Sequence, residues 1–573
     1  MAILLLLLLE PGLAFEERAE ALGVKFRMEF LPGEQGEKFK INFYDHGCGV
    51  ALADIDGDGD DDLYLLNQLG ANALYRNDGG SFADVTTPAV ALEDRICVSA
   101  VFGDTDGDGD EDLYVTSTRG GNVFLRNDGS GAFEDATKEA GLPWVGHSQG
   151  ATLFDADGDG DLDLFLATTA EWTGAFEPLG RYYAGATTLM ELVKSPVETN
   201  AFFRNRGDGT FEEATGEAGL RGAGWSGDTA VFDFDEDGSL DLFVANMFGR
   251  STLYRNAGGR FEDVTAGTLG RTPWGAVGSK AFDYDGDGRL DLFVVDMHSD
   301  MWTPFDYDLR RVDEARKYER FFGPFYERQR DLERVFAEAT RIRYDAIFFG
   351  NGLFRGLGGG EFEETSAKAG AETFWPWGIA SGDFDNDGFE DAFVPSGMGY
   401  PWGYWRSPLL MNNGDGTFVD RSADAGLDPP PGGRALERRI GGRVAARSAR
   451  AAAVADLDGD GRLDLAVNNF NDRAFLYMNR APARSWIAFR LEGTRGHKGA
   501  IGAVVRVRAG GRTRIGQVQA AGGYLAQSSK TVHFGLGDLR SVESCEIRWP
   551  GGLVQTIDGP APNRVHRIVE PAR

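Results

Sequence analysis

The chain has 573 residues, 42% hydrophobic and 12% aromatic, with 80 glycines and a formal charge of −32. That length exceeds an ordinary single domain unless a closed repeat absorbs it, and the acidity argues against nucleic acid or an anionic membrane surface as partner. The charge is split unevenly: residues 482–573 carry 14 Lys and Arg against 6 Asp and Glu, a net of +8, which leaves −40 on residues 1–481. Two bodies of different character are expected.

At the N-terminus, Ile3 to Leu9 form a short apolar run, and Gly12-Leu13-Ala14 has the small-x-small form of a cleavage site before Phe15. No Lys or Arg precedes the run, Glu10 ends it, and it is too short to span a bilayer. Residues 1–14 are read as a degenerate signal segment of an exported protein, and no other stretch reads as a membrane helix. Cys48, Cys97 and Cys545 form neither a disulfide framework nor a metal-ligand spacing. They are read as buried thiols; a bridge between Cys48 and Cys97, just before the first two acidic motifs, has nothing else to support it.

One pattern, D-x-D-x-D-G-x-x-D followed by Leu or Ala, occurs seven times, starting at Asp54, Asp104, Asp155, Asp233, Asp283, Asp383 and Asp456. Small apolar residues precede each copy, as in Gly49 to Ala53 or Ala451 to Ala455. A short β-like run follows, such as Leu63 to Leu66, and then a second strand and turn such as Leu74-Tyr75-Arg76-Asn77-Asp78-Gly79. Each unit reads as four antiparallel strands, and so small a sheet buries its faces only against neighbours. The expected fold is all-β: a seven-bladed β-propeller over 15–481 and a small antiparallel β domain over 482–573.

The seventh unit stops at Leu476-Tyr477-Met478-Asn479 without the Phe-x-Asp continuation of the others. Phe15-Glu16-Glu17 resembles Phe211-Glu212-Glu213, so the N-terminal segment is expected to complete the last blade and leave no open sheet edge. Extra length falls in insertions at about 169–200 and 298–346. In the second, Leu309, Val312, Leu332 and Val335 have helical spacing, and Gly323-Pro324 divides the segment into two expected helices. Such an insertion either carries specificity on the rim or simply packs there.

Carboxylates at motif positions one, three, five and nine crowd one turn and repel unless a cation lies among them. Calcium takes six to eight oxygens, carboxylate and carbonyl mixed. Gly at position six allows the bend that offers the position-seven carbonyl, which explains why the side chain there varies. The expected ligands of up to seven Ca2+ are therefore Asp54, Asp56, Asp58, Asp60 and Asp62; Asp104, Asp106, Asp108, Asp110 and Asp112; Asp155, Asp157, Asp159, Asp161 and Asp163; Asp233, Asp235, Asp237, Ser239 and Asp241; Asp283, Asp285, Asp287, Arg289 and Asp291; Asp383, Asp385, Asp387, Phe389 and Asp391; and Asp456, Asp458, Asp460, Arg462 and Asp464. An EF-hand opens the same way but needs Glu at position twelve and flanking helices. Here position twelve is Leu65, Val115, Leu166, Val244, Val294, Val394 or Val467, and the flanks alternate as strands. The bland alternative is an acidic turn that binds nothing.

These repeats resemble the FG-GAP/VCBS repeats of integrin α-subunit propellers. The tail, with Ala500-Ile501-Gly502-Ala503, Gly522 to Ser528, His533 to Gly537 and Arg548 to Gly552, resembles the ASPIC/UnbV domain. The order of parts is similar to the cartilage acidic protein 1 family and its bacterial relatives. The resemblance implies an extracellular or surface-associated calcium-binding protein and specifies no activity.

Gly146-His147-Ser148-Gln149-Gly150 fits the G-x-S-x-G elbow, but an elbow needs a helix after the Ser, and here a strand is expected. The six histidines are scattered, so no catalytic or redox site is assigned and the protein is read as a non-enzyme. Trp225, Trp274, Trp375 and Trp377 lie on strands entering acidic loops, where they either pack between blades or line a central funnel. The expected function is binding, adhesion or matrix interaction outside the cell, with an extracellular protein or glycan as partner. The alternative is a small-ligand or glycan binder, or enzyme, using the funnel. The basic tail is expected to dock on the acidic propeller.

Overall fold

The computed structural model describes residues 12–29, 47–170, 197–297, 346–397, 406–427 and 449–572, except 223 and 471, and the backbone of 437–440, 443–446 and 448. Most of the expected signal segment, the core of the 169–200 insertion and the two helices expected within 298–346 lie outside the described residues. Among the described residues there are four one-turn helices, and all other regular structure is strand.

Seven antiparallel sheets follow one another along the chain. Blade one is Val50–Ala53, Asp62–Leu65, Ala73–Asn77 and Phe82–Asp84, with the acidic loop between its first two strands. The innermost strands of the next six are Ile96–Gly103, Ser148–Phe154, Ser226–Phe232, Ala276–Phe282, Ala380–Gly382 and Ser448–Ala455. Each lies against the next, and the seventh returns to the first. Small residues are required where they converge: a Cβ on Gly49 would stand 2.5 Å from the Val98 carbonyl oxygen, and one on Gly278 2.7 Å from that of Trp377.

Blade seven takes its outer strand from the other end of the chain. Phe15–Glu17 pairs with Phe475–Asn479, placing Phe15 opposite Asn479. Phe211 stands in the same register opposite Asn205 in blade three. The N-terminal segment thus supplies the fourth strand of blade seven, as its sequence indicated.

A side chain the repeat offers at every blade but one ties neighbours together. The Asn at the end of each third strand donates its amide to the carbonyl of motif position two in the preceding blade: Asn127 to Ile55 (2.9 Å), Asn205 to Thr105 (2.7 Å), Asn256 to Ala156 (2.7 Å), Asn412 to Tyr284 (2.6 Å), Asn479 to Phe384 (2.7 Å). Asn77 does the same to Leu457, bridging blade one to blade seven at 3.1 Å. Blade five has Gly356 at this position and no side chain to give. Asn205 also holds the Leu162 carbonyl at 3.1 Å, so Asn205→Ala strands two carbonyls in a buried joint. We expect a loss of about 2–4 kcal/mol, with little change in denaturant m-value, measured by chemical denaturation.

The tail has two sheets. In one, Ser485–Glu492 lies between Val532–Gly537 and Val565–Val569; in the other, Val504–Ala509 lies between Arg512–Gln517 and Ser544–Arg548, with Val554–Asp558 outside. Alternation of Val505 and Val507 with Arg506 and Arg508 puts the valines, Ile547 and Trp549 in a shared core. Cys48, Cys97 and Cys545 are buried.

Candidate metal centres and the tail that covers them

Each acidic motif folds into the same loop, held by its own backbone. Position four has positive φ in all seven, as Gly57, Gly107, Gly158, Glu236, Gly286, Asn386 and Gly459. Position six does as well, from Gly59 at 105° to Gly461 at 84°. This double left-handed turn aims successive N–H groups inward. The position-six N–H donates to the Oδ2 of position one in loops one, three, four, five, six and seven, at 2.6–3.0 Å. The position-seven N–H donates to the position-five carboxylate in every loop, at 2.8–3.0 Å. Asp60, Asp110, Asp161, Ser239, Arg289, Phe389 and Arg462 therefore share one backbone placement whatever their side chains do.

The position-nine carboxylate stitches the blade. Its Oδ1 accepts the N–H at the end of the third strand, as in Asn77 to Asp62 (2.7 Å) and Gly356 to Asp291 (2.7 Å). In six loops its Oδ2 accepts the position-two N–H, as in Ile55 to Asp62 (2.8 Å); in loop two the Thr105 hydroxyl donates to Asp112. These residues are buried. Burial pushes Asp62 and Asp112 up to about 7 and Asp163 and Asp241 up to about 8, partly offset by the backbone donors. Asp291, Asp391 and Asp464 are raised well above the usual carboxylate range by the same burial.

The donor set fits a hard dication. Asp54, Asp56 and Asp58 each bring a carboxylate oxygen within 4.8 Å of the others, as do Asp104, Asp106 and Asp108; Asp155, Asp157 and Asp163; Asp233, Asp235 and Asp241; and Asp283, Asp285 and Asp291. Four loops hold a carboxylate oxygen that is buried and meets no donor: Oδ1 of Asp54, Asp157, Asp233 and Asp458. A buried anionic oxygen without a partner is costly, and a cation at the loop centre removes that cost. The carboxylates gathered in these five loops could hold such an ion through oxygen alone.

The tail covers this face of the propeller. Arg490 pairs with Asp54 at 3.0 Å and reaches Asp61 at 3.8 Å; Arg484 pairs with Asp385 at 2.9 Å; Lys530 meets Glu111 and Arg548 meets Asp233. Backbone groups join in: Lys498 N–H to Asp104 (2.8 Å), His497 N–H to the Gly160 carbonyl (2.9 Å) and Gly537 N–H to the Asn386 carbonyl (2.7 Å). The position-six glycines have a second purpose that the sequence did not disclose. A Cβ on Gly59, Gly160, Gly388 or Gly461 would strike Arg567, the Arg495 carbonyl, Arg514 or Trp486 of the tail.

From the tail, Gly522 to Gln527 enters the centre of the ring. Ala526–Gln527 pairs in parallel with Val50–Ala51. Gly523 and Tyr524 direct consecutive N–H groups to Asp228 Oδ2 at 3.1 and 2.8 Å, and the Gly523 carbonyl accepts from Ile379 N–H at 3.0 Å. Gln527 bonds both N–H (2.7 Å) and carbonyl (3.2 Å) of Phe102. Tyr524 is fully buried, its ring 5.7 Å from that of Trp377. Trp225, Trp274 and Trp377 belong to the central core, with Arg450 stacked over Trp377 at 3.7 Å. These tryptophans pack the channel, and the channel is plugged. Ser148 begins a strand and is fully buried, as its rejection as an elbow nucleophile requires.

Family comparisons agree with the repeat reading. An FG-GAP-like repeat matches residues 54–115, 104–166, 191–244, 233–294 and 345–394, and the ASPIC and UnbV family matches 493–573. The chain thus carries five matched FG-GAP-like repeats and a C-terminal ASPIC and UnbV domain. No curated protein matches it. Among solved structures it is similar to the exotype rhamnogalacturonan lyase YesX, at 15% identity and a TM-score of 0.35, over 76% of this chain and 61% of that one. It is also similar to the V. cholerae biofilm matrix protein Bap1, at 11% identity and a TM-score of 0.23, over 93% of this chain and 61% of that one. This chain spans 61% of each of those relatives. Among the described residues no helix is long and apolar enough to cross a membrane.

Proposed function

We propose that the protein is a calcium-binding, non-catalytic propeller of the cell exterior, whether secreted, periplasmic or surface-bound. Calcium stiffens the seven loops, and the rim presents a recognition surface to an extracellular protein or glycan. The observation that carries this reading is the set of buried carboxylate oxygens without donors inside loops built to one pattern. Calorimetric titration of calcium into metal-stripped protein, with the bound metal counted by elemental analysis, tests it. About seven ions per chain are expected, falling by one in Asp155→Ala. Absence of saturable calcium uptake would sink the reading. An open-funnel ligand site draws no support from this geometry, because Tyr524 and Leu525 fill the channel beside the tryptophans.

A further inference from the structure

Between the tail and the loop face lies a cavity of about 270 Å³, over the plugged mouth of the ring. Its floor is made by the inner strands of blades five to seven, and its roof by tail strands carrying Arg490, Gln517 and His533. Its floor breaks the repeat at two positions.

Three residues before the first motif Asp, the inner strands carry Ala51, Val101, Thr152, Ala230, Lys280, Ala380 and Ala453. Lys280 is the charged member of a ring of small residues. It is 9% exposed, and no described residue gives it a hydrogen bond or an ion pair; the carboxylates whose fields reach it are Glu390 and Asp228. Asp228 is committed to the plug. At motif position eight, blades three, four, five and seven have Leu162, Leu240, Leu290 and Leu463. Blades one and two have Asp61 and Glu111, each paired with a tail cation, Arg490 and Lys530. Glu390 of blade six has only the Ser381 hydroxyl and, among the described residues, no ion pair.

The roof adds two unsatisfied acceptors. Gln517 gives its Nε2 to the Val231 carbonyl at 3.2 Å and leaves Oε1 buried without a donor. His533 faces the Gly461 carbonyl through Nε2 at 3.2 Å and leaves Nδ1 buried without a partner. Burial holds this imidazole neutral, well below its usual range, at about 4, so Nδ1 is an acceptor. The cavity therefore offers the Lys280 amino group, the Glu390 carboxyl group and two neutral acceptors.

We propose that this interdomain cavity binds a small neutral polyol, the size of one sugar ring, through Lys280, Glu390, Gln517 and His533. A hydroxyl both donates and accepts, so a polyol, with several on one small frame, can meet all four of these groups whichever of Lys280 and Glu390 carries the proton. The volume falls just below the range of drug-sized ligand pockets, which begins at about 300 Å³, and suits a smaller occupant. A second cavity of about 390 Å³ lies beside the first and shares Asp61, Arg490, Thr531 and Arg567 with it. The site exists only with the tail seated, so it rests on domain docking and not on calcium.

The test uses the full chain with calcium in excess, probed with D-galactose, D-mannose, L-rhamnose and myo-inositol by saturation-transfer NMR and by titration. Saturable binding of at least one probe is expected. Lys280→Met and the near-isosteric Glu390→Gln should each weaken it tenfold or more, with the melting temperature and calcium stoichiometry held. No saturable signal with any probe, or undiminished binding in both variants, would overturn the proposal. Binding of D-glucuronate without any neutral probe would overturn it too, by replacing the polyol with an acid.

Discussion

Metal-stripped protein at pH 7.5 should melt about 8 °C lower than protein in 1 mM calcium. For extracellular calcium modules with a Kd of about 10⁻⁴ M, 1 mM ion stabilises each loop by about 1.4 kcal/mol, or ~10 kcal/mol for seven. Unfolding entropy of about 2.1 cal/mol/K per residue gives ~1.2 kcal/mol/K for a chain of this length, which converts that energy to the stated shift. Scanning calorimetry reads it directly. A shift below about 2 °C would mean that the loops are folded by their own backbone bonds alone.

The same loops set the sign of the pH dependence. Asp62, Asp112, Asp163 and Asp241 have folded values raised by burial to about 7 or about 8, above the ordinary 3.8 of an unfolded Asp. Between those limits the folded state holds more protons than the unfolded state, so the stability of metal-stripped protein falls as pH rises from about 4 to about 8. Calcium reverses the local field and favours the ionised carboxylates, so its stabilising effect grows over that window and fades in acid. Melting curves in metal-free buffers, paired with calcium-saturated ones, should diverge as pH rises. Parallel curves would contradict the assignment of these carboxylates to the metal loops.

Much of this was readable because it is local. Ligand spacing in a turn is written in consecutive residues, and blade completion in the likeness of Phe15-Glu16-Glu17 to Phe211-Glu212-Glu213. Other features depend on what lies opposite. Position four appeared free because Glu236 and Asn386 interrupt five glycines, yet all seven residues share one backbone conformation. The position-six glycines were credited to the bend alone, because no motif shows that Arg567 and Trp486 pass over them. The tail phrases told family and not role. Gly502 lies against Leu240, Gly535 against Asn386, Arg548 on Asp233, and Gly522 to Ser528 form the plug, so the residues that identify the domain are largely those that seat it. Tryptophans on inner strands suit a funnel or a core equally well until the plug is seen.

The plug is the other place where one substitution should have a large effect. Four consecutive residues at its tip have positive φ: Gly522, Gly523, Tyr524 and Leu525. Two of them are not glycine, and each such residue costs about 1 kcal/mol or more. The strain is held by the paired N–H bonds to Asp228 and by the fit of Tyr524 against Trp377. Gly523→Ala adds a Cβ directly against the Ile379 carbonyl oxygen, at a φ of 89° that Ala resists. Backbone on both sides cannot yield, so the tip must withdraw. The tail keeps its own core of Ile487, Phe489, Val505 and Ile547 and should stay folded but lifted from the ring. Cleavage near residues 480–485 by a dilute protease should become at least tenfold faster, and amides of Val50 and Ile379 should lose exchange protection while those of Val505 keep it. Asp228→Ala should act in the same direction and less strongly, because it strands N–H groups without placing an atom in the way. If Gly523→Ala leaves both the cleavage rate and the Ile379 amide unchanged, the tail is held by its salt bridges to the acidic loops and the plug is incidental.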